Sequence, residues 1–263
     1  MNFKCNLKEQ WSIYDLGLEK KLDSNWQNRE DDIILLASNI LEKLDKCFYQ
    51  LPFCNTLEAE SLGAIVKYAN QKSTNRISEA ICKNLDDLIK YIDANKSKDF
   101  EINDRAKAMF LAIKELKSKG KPIIFNITGP ITILSYIVDI HLLIKQKRKN
   151  PEYINKLEDI IFVFLEKYIE YFKLAGVDLF SYADPIGNID VLGKKYFENW
   201  TKPLLFRAIE IFKKSNVPVH ICGMISCELE NSNQLNLNKG SAKIIDKIPK
   251  EFLLYGKSCI QHW

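Results

Sequence analysis

The chain has 263 residues, of which 46% are hydrophobic, enough to bury a large core and to exclude intrinsic disorder. Its 38 basic and 34 acidic residues are spread along the sequence, and a net charge of +4 is too balanced for a nucleic-acid-binding protein. The longest uncharged stretch, residues 122–138, is broken by Gly129-Pro130, so no membrane span is expected. We therefore expect a single domain over residues 1–263, with neither nucleic acid nor membrane as a partner.

The cysteines indicate the cellular compartment. There are seven, an odd number without regular spacing, and the N-terminus carries no apolar segment of the kind found in signal peptides. This pattern predicts reduced thiols in a cytoplasmic protein.

The first part of the chain is dominated by helical patterns. Residues 1–46 place apolar side chains at spacings of three and four, which predicts an N-terminal helical layer. Thr56 is a suitable N-cap for a helix with Glu58 and Glu60 in its first turns, where carboxylates favour the helix dipole. Capping alone explains only one of these two glutamates. Helical periodicity returns over residues 81–94 and 104–118.

The second part alternates short apolar runs with helical patterns. The apolar runs cover residues 121–128, 177–182 and 217–222. The helical patterns between these runs cover residues 131–144, 151–175 and 196–214. Strands of this length separated by long helices predict a parallel α/β fold. No glycine-rich phosphate-binding motif follows any of these runs, which counts against a nucleotide-binding fold.

Polar residues suited to catalysis or metal binding occur at the ends of two predicted strands. Asp184 follows the run 177–182, and His220 and Cys222 end the run 217–222. Because alternate residues of a strand share a face, His220 and Cys222 point the same way. An imidazole and a thiolate side by side form half of the kind of site that zinc prefers.

A histidine or cysteine beside an apolar run is more often part of the packed core than a metal ligand, and the H-x-C spacing alone has low specificity. Cys259 strengthens the metal hypothesis because it follows another apolar run, residues 252–255, within a glycine-flanked segment. With it, three ligands and one open coordination position are available, as in catalytic zinc sites. Cys227, five residues after Cys222, is the competing candidate for the third ligand.

Four motifs, taken together and in order, resemble the uroporphyrinogen decarboxylase superfamily. They are Leu51–Gly63, Ile127–Leu134, Tyr182–Pro185 and Val219–Gly223. Within that superfamily the chain resembles the zinc- and corrinoid-dependent methyltransferases more than the decarboxylases. The resemblance extends from about residue 45 to the C-terminus.

The resemblance implies a TIM (β/α)8-type barrel with its site at the carboxyl ends of the strands. Because the chain ends soon after Cys259, we expect the barrel to be shortened or remodelled at its C-terminus. By motif, the resemblance assigns the zinc ligands to His220, Cys222 and Cys259, the catalytic acids to Asp184, Glu58 and Glu60, and the binding of the corrinoid cofactor to Asn126, Gly129 and Tyr182. We expect the three acids to lie within reach of the zinc pocket.

The implied activity is zinc-dependent methyl transfer between a corrinoid, carried by a partner corrinoid protein, and a small substrate. That substrate is a thiol acceptor or, in the reverse direction, a methoxy or methylamine donor. A tetrapyrrole decarboxylase and a non-catalytic corrinoid-binding barrel are the alternatives. A decarboxylase needs an arginine near Asp184, and Arg207 is the arginine in that part of the sequence.

Overall fold

The computed structural model describes residues 15–18, 20–23, 25–68, 75–97, 99–231 and 235–260. The helices in these ranges are α1 (Glu30–Lys43), α2 (Leu57–Ser61), α3 (Leu85–Asn95), α4 (Asp104–Ser118), α5 (Pro130–Ile137), α6 (Ile140–Lys149), α7 (Pro151–Ala175), α8 (Ile189–Leu192), α9 (Lys194–Tyr196), α10 (Lys202–Ser215) and α11 (Gly223–Asn231). Short 3-10 segments occur at Trp26–Asn28 and Ala242–Lys247, and a π-helical turn at Phe197–Thr201. Within the described ranges, no helix combines the length and apolar character that a membrane crossing requires.

The strands are β1 (Tyr49–Leu51), β2 (Val66–Lys67), β3 (Arg76–Ile77), β4 (Ile123–Thr128), β5 (Leu179–Ala183), β6 (Val219–Ile221), β7 (Asn238–Lys239) and β8 (Leu254–Gly256). One sheet has the order β1-β4-β5-β6-β8-β7 and is parallel throughout, whereas β2 and β3 form a separate antiparallel pair. In the part of the chain that the structure describes, no pairing joins the edge strands β1 and β7. The predicted parallel α/β fold is confirmed.

Several helices form where the sequence predicts them. Asn103 caps α4 by accepting a hydrogen bond from the Ala106 amide at 2.8 Å, as a favourable N-cap residue does. Helix α7 begins with Pro151 at its first position and ends at Gly176, whose φ of 102° is readily reached only by glycine. Helix α1 lies inside the predicted N-terminal helical layer, of which residues 1–14 fall outside the described residues.

One helix prediction is wrong in detail, and another is confirmed with a local change of helix type. The single helix expected over residues 131–144 is divided into α5 and α6 because Asp139 starts a new helix, its carboxylate accepting from the amides of His141 and Leu142 at 3.0 and 3.1 Å. The helix expected over residues 196–214 is present: Tyr196 ends α9, the π-helical turn follows it, and α10 completes the helical segment.

Thr56 occupies the predicted N-cap position of α2, with Glu58 and Glu60 in the first turn, but it does not act as a cap through its side chain. Its side chain makes no capping hydrogen bond to α2, and its Oγ1 instead accepts a hydrogen bond from the Arg105 guanidinium at 3.3 Å. The Thr56 hydroxyl is therefore bonded to a distant residue, Arg105, and not to the first turn of α2.

The two faces of the large sheet pack against different partners. On the outer face, Phe125 stacks on Phe172 of α7 with ring centroids 4.0 Å apart, and Phe180 lies 5.6 Å from Phe212 of α10. On the inner face, a second apolar cluster forms around Ile124 of β4, and it includes Phe48, Leu179, Ile245, Tyr255 and Ile260. Full burial of side chains of this size contributes about 1.5–3 kcal/mol each, so both layers anchor the strands firmly. The inner cluster forms the floor of the candidate site.

Candidate functional site

A row of polar side chains crosses the inner face of the sheet one step above the apolar floor. Asn126 of β4 is paired in register with Ser181 of β5, which in turn is paired with His220 of β6. Residues opposite each other on neighbouring strands place their side chains on the same face. The row is two residues nearer the carboxyl ends of the strands than Ile124 and Leu179, which are also paired.

His220 is almost completely buried, with 1% of its surface exposed, and both of its ring nitrogens have partners. Nδ1 lies 3.2 Å from the Ser181 hydroxyl oxygen, and Nε2 lies 3.1 Å from the carbonyl oxygen of Ser258. Burial lowers the pKa of His220 to about 4, although the Ser258 carbonyl opposes this shift. The ring is therefore neutral near pH 7, which is the form that binds metal ions.

The predicted cysteine ligands lie around the same strand end. Cys222 follows β6 directly and is half-buried, and its amide donates to the Tyr182 carbonyl at 2.9 Å. The Ser258 carbonyl accepts from the Gly223 amide at 3.1 Å in addition to contacting His220. The segment that carries the buried Cys259 is thus held against the end of β6.

Cys227 has a different setting. It is half-buried within α11, which begins immediately after Cys222. Neither cysteine is excluded as the third ligand by this placement, so the assignment to Cys259 stays a prediction.

The donor set suits zinc chemically, because it combines a neutral buried imidazole with two cysteines from neighbouring strand ends. The hydroxyl on Nδ1 is also typical of metal-binding histidines, whose second nitrogen is held by a polar partner. Among the described residues, however, no three His, Cys, Asp or Glu side chains are arranged to hold a metal ion. Zinc binding by His220, Cys222 and Cys259 stays a prediction.

Asp184 is buried in a set of hydrogen-bond donors at the end of β5. Its Oδ1 accepts from the Thr132 amide at 2.8 Å, the Thr132 hydroxyl at 2.7 Å and the Gly187 amide at 3.3 Å, and its Oδ2 accepts from the Ile131 amide at 3.1 Å. Burial raises the pKa of Asp184, and these donors oppose the rise. The carboxyl group therefore ties the end of β5 to the first turn of α5.

Gly129 is explained by this arrangement. A Cβ atom at Gly129 would overlap Cβ, Cγ and Oδ2 of Asp184, and one at Gly187 would lie 2.7 Å from Cγ of the same residue. Since the backbone of Gly129 is extended, with φ −73°, steric space and not backbone conformation requires glycine there. Its predicted role in cofactor binding stays a prediction.

Glu58 is completely buried at the carboxyl end of β4. Its two oxygens accept hydrogen bonds from the amide and the hydroxyl of Thr128, at 2.8 and 3.0 Å. Burial raises the pKa of Glu58 despite these bonds. The structure thus places Glu58 next to the strand end that precedes Gly129, as a carboxyl group that joins α2 to β4.

A buried arginine, Arg105, was not predicted from the sequence. Arg105, 3% exposed, donates to Glu60 at 2.8 Å, to Gln27 at 2.8 Å and to the Cys54 sulfur at 2.6 Å. Glu60 also accepts from the Tyr68 hydroxyl. Glu60 is therefore a partly exposed carboxylate paired with a buried arginine, and its catalytic role stays a prediction.

A signal for Arg105 was present in the sequence. The residue occupies the apolar stripe of α4, at a helical spacing from Met109 and Ala112, where an amphipathic helix normally carries a hydrophobic side chain. A charged residue at such a position predicts a buried partner of opposite charge.

The two other residues predicted to bind the cofactor lie on opposite faces of the sheet. Asn126 is in the inner polar row, where its amide donates to the Pro52 carbonyl and accepts from Gln50, both at 3.0 Å. Tyr182 is buried on the helix side, 6.3 Å from the Phe212 ring, and burial with the nearby Asp184 carboxyl raises its pKa well above the usual value. Their roles in cofactor binding stay predictions, but the structure does not bring them together.

The fold and the row of polar side chains define an α/β protein of parallel strands with a candidate site at the carboxyl end of its sheet. Residues 43–240 match the Uroporphyrinogen decarboxylase (URO-D) family, and the chain therefore belongs to this family. The family resemblance found in the motifs is confirmed.

Similar proteins include two methylcobamide:CoM methyltransferases. MtbA of Methanosarcina acetivorans is 25% identical over 195 residues, covering 72% of this chain and 56% of the relative. MtaA of Methanosarcina barkeri (strain Fusaro) is 24% identical over 186 residues, covering 69% of this chain and 53% of the relative. The chain thus spans about half the length of the curated relatives that it matches.

A solved methyltransferase from Methanosarcina mazei has a similar fold, with a TM-score of 0.71 over 85% of this chain and 66% of that chain. At 21% sequence identity, this similarity establishes the fold alone. It confirms the predicted α/β architecture of the TIM-barrel type.

Proposed function

We propose that this protein catalyses methyl transfer between a corrinoid and a small substrate activated by zinc. The observation that carries the proposal is the neutral imidazole of His220, held at Nδ1 by a hydroxyl and placed beside the segments of Cys222 and Cys259. Membership of the URO-D family and similarity to methylcobamide:CoM methyltransferases support the same chemistry.

In this proposal His220, Cys222 and Cys259 hold the metal. Zinc supplies Lewis acidity, which lowers the pKa of a substrate thiol so that the thiolate is present at neutral pH. The protein holds the imidazole in its neutral form and keeps water away from the ring by burying it under the Ser258 segment. The apolar floor fixes the strands that carry these residues.

The methyl group is carried by a corrinoid on a partner protein, which meets the carboxyl end of the sheet. A thiol is the proposed acceptor, and methoxy or methylamine compounds are the proposed donors if the reaction runs in reverse. The acids Asp184, Glu58 and Glu60 are proposed to act near this end, with the substrate-facing role best suited to Glu60 because it is the only one of the three that keeps part of its side chain, 17%, exposed.

Decarboxylation of a tetrapyrrole has less support. It would need a cationic side chain near Asp184, whereas Arg207 lies on the surface of α10, where it pairs with Asp159 at 2.6 Å. The donors around Asp184 are backbone amides and the Thr132 hydroxyl.

The test is a metal analysis of the purified protein combined with an assay of methyl exchange from methylcobalamin to a thiol. We expect about one zinc ion per chain and measurable exchange in the wild type. Cys222→Ala and Cys259→Ala should each lose the bound zinc and the methyl exchange, since each removes a ligand. Cys227→Ala should retain the zinc and the methyl exchange.

Wild-type protein without zinc after growth in zinc-replete medium would refute the zinc site. Zinc without methyl exchange would favour the non-catalytic corrinoid-binding barrel. Loss of zinc from Cys227→Ala, with Cys259→Ala unaffected, would move the third ligand into α11.

The cytoplasm is the proposed location. Cys47, Cys54 and Cys82 are free thiols in the structure, as expected for a reducing compartment.

A further inference from the structure

We infer that a group of exposed cations at the carboxyl end of the sheet docks an acidic surface of the partner protein that carries the corrinoid. These cations, here called the basic rim, are Lys145, Arg148, Lys149, Lys194 and Lys195. The inference rests on the proposed function, which supplies the corrinoid partner. The residues of the basic rim are neither candidate metal ligands nor candidate catalytic acids.

The direction of the chain places the basic rim at the same end of the molecule as the candidate site. Helices α7 and α10 lead into the first residues of β5 and β6, so their N-termini lie at the carboxyl ends of these parallel strands. Three of the cations lie at the C-terminal end of α6, which is joined to the start of α7 by Asn150 alone. The other two lie in α9, and the π-helical turn leads from there into α10.

Trp200 brings these two segments together. The Lys147 Nζ atom lies 5.0 Å from the centre of the Trp200 ring, and both residues donate hydrogen bonds to Glu158, at 2.7 and 2.6 Å. The ring of Tyr196, the residue after Lys195, lies 6.1 Å from the Trp200 ring. The cations of α6 and those of α9 therefore belong to one surface.

The basic rim lacks acidic partners of its own. In the ranges that the structure describes, no hydrogen bond or ion pair joins its side chains to other residues. At the amino end of the sheet, by contrast, Lys213 pairs with Glu210 at 2.5 Å. Glu152 and Asp190 are exposed acids close in sequence to the basic rim, and they are fewer than its five cations. Positive charge therefore remains in excess on this surface.

Helix stability explains only part of the basic rim. Cations at the C-terminal end of α6 favour the helix dipole. Lys194 and Lys195, however, begin a helical segment that continues through the π-helical turn into α10, and cations in a first turn oppose the dipole. An external partner of negative charge explains two adjacent lysines at this position, whereas the dipole does not.

Val191 indicates that this partner is a protein. The residue is 56% exposed and lies in α8, shortly before the two lysines of α9. Apolar contact within a polar and charged rim is typical of protein interfaces, whereas nucleic acids are held mainly through their phosphates. An acidic protein surface complements the basic rim, and the attraction would steer the corrinoid toward the end of the sheet that carries the candidate site.

The experiment compares the wild type with two charge-reversal variants. Lys194→Glu/Lys195→Glu inverts part of the basic rim, and acids in a first helical turn favour the dipole, so the fold should be kept. Lys119→Glu/Lys121→Glu is the matched control, because it makes the same change of charge at exposed positions just before β4, at the amino end of the sheet. The probe is the methylated corrinoid protein of the source organism, purified by following methyl transfer from it to a thiol through the wild-type protein.

Surface plasmon resonance measures the association rate constant at several salt concentrations. We expect the wild-type rate to fall steeply as the salt concentration rises, and Lys194→Glu/Lys195→Glu to associate about 10-fold more slowly at low salt. The control should stay within about 2-fold of the wild type, because its charges lie more than a Debye length from the docking surface. Methyl exchange with free methylcobalamin needs no docking and should be equal in all three proteins.

Equal association rates of the wild type and Lys194→Glu/Lys195→Glu would overturn the inference, as would an equal loss in the control or association that does not depend on salt. A wild type that exchanges methyl with free methylcobalamin, but with no corrinoid protein of the source organism, would also overturn it. Binding of duplex DNA or phosphatidylserine vesicles through Lys194 and Lys195, in place of the corrinoid protein, would assign the surface to another partner. No exchange with either donor would refute the proposed function, and the inference with it.

Discussion

The carboxyl end of the sheet has two sides that are built differently. The acid side, with Glu58, Glu60 and Asp184, is held by several strong hydrogen bonds or an ion pair with a buried arginine at each carboxyl group. The thiol side, with His220, Cys222 and Cys259, includes backbone hydrogen bonds from the Cys222 and Gly223 amides and contacts from the two ring nitrogens of His220 to Ser181 and Ser258.

The difference separates stability from reactivity. Buried carboxyl groups with several partners resist rearrangement, because each broken bond leaves an unpaired polar group in the interior. The thiol side instead carries imidazole and thiol groups, whose characteristic chemistry is metal ligation and nucleophilic reaction. We therefore expect mutations on the acid side to affect folding most, and mutations on the thiol side to affect chemistry most.

The largest expected effect is that of Gly129→Ala. The added methyl group would overlap the fixed Asp184 side chain, which should cost about 4–5 kcal/mol and leave little folded protein. Gly120→Ala is the control, since a Cβ atom at Gly120 would meet no other atom. The positive φ of 79° alone should lower the free energy of unfolding of this variant, by about 1–2 kcal/mol. Thermal unfolding followed by circular dichroism measures both, and equal losses would show that the Asp184 contact is not the cause.

Arg105→Ala has the next largest expected effect on stability. It leaves Glu60 without its cation and removes the donor to Gln27 and Cys54, so we expect a loss of about 3–5 kcal/mol in the free energy of unfolding by urea. As a control, Arg207→Ala removes an exposed ion pair with Asp159 and should lower the free energy of unfolding by about 1 kcal/mol or less. A small loss from Arg105→Ala would mean that the acid side does not depend on this ion pair.

Asp184→Asn tests the donor set around the carboxyl group. The amide replaces one acceptor oxygen with an NH2 group that faces backbone N–H donors, so urea unfolding should show a loss of about 2–3 kcal/mol. Asp190→Asn, on the exposed surface of α8, should change stability by less than about 0.5 kcal/mol. Similar values for the two variants would contradict the anchoring role of Asp184.

Glu58→Gln tests the raised pKa. A carboxyl group with a folded-state pKa above its unfolded value stabilises the protein most at low pH, and this contribution is lost as the pH rises through the folded-state pKa. Glutamine does not titrate. In urea unfolding from pH 4 to pH 8, the variant should therefore gain stability relative to the wild type as the pH rises, and the opposite trend would show that the Thr128 bonds outweigh burial.

The smallest effect on stability is expected on the thiol side. Cys222→Ala removes one half-buried sulfur atom and should lower the free energy of unfolding, measured without added metal, by less than about 1 kcal/mol. A loss as large as that of Asp184→Asn would remove the distinction between the two sides.

Much of the fold was predictable because local signals agree with it. Pro151 and Gly176 mark the ends of α7, and the apolar run before Cys222 forms β6. The α5–α6 boundary was missed because Asp139 acts through a capping bond inside a continuous helical pattern. Hydrophobic periodicity does not detect such a bond.

The candidate site was predictable only in part. Spacing within a strand predicted that His220 and Cys222 share a face; His220 lies in β6, and Cys222 follows its last residue. The motifs pointed to Asp184 and Glu58. The partners of these residues come from distant segments: Ser181 lies 39 positions before His220, and Arg105 lies 45 positions after Glu60. Such contacts follow from strand register and helix packing, which local sequence does not determine.

Strand β5 and the residue after it contribute to both sides, with Ser181 beside His220 and, three positions later, Asp184 beside α5. Side chains alternate between faces along a strand, so an insertion or deletion of one residue within β5 would turn Ser181 toward the helices and bring Phe180 or Tyr182, depending on the direction of the shift, against the imidazole. The same event would displace the Asp184 carboxyl group from its amides. During divergence of the family, this strand is therefore expected to tolerate substitutions but not changes of length, whereas the loops that follow the strands remain open to insertion.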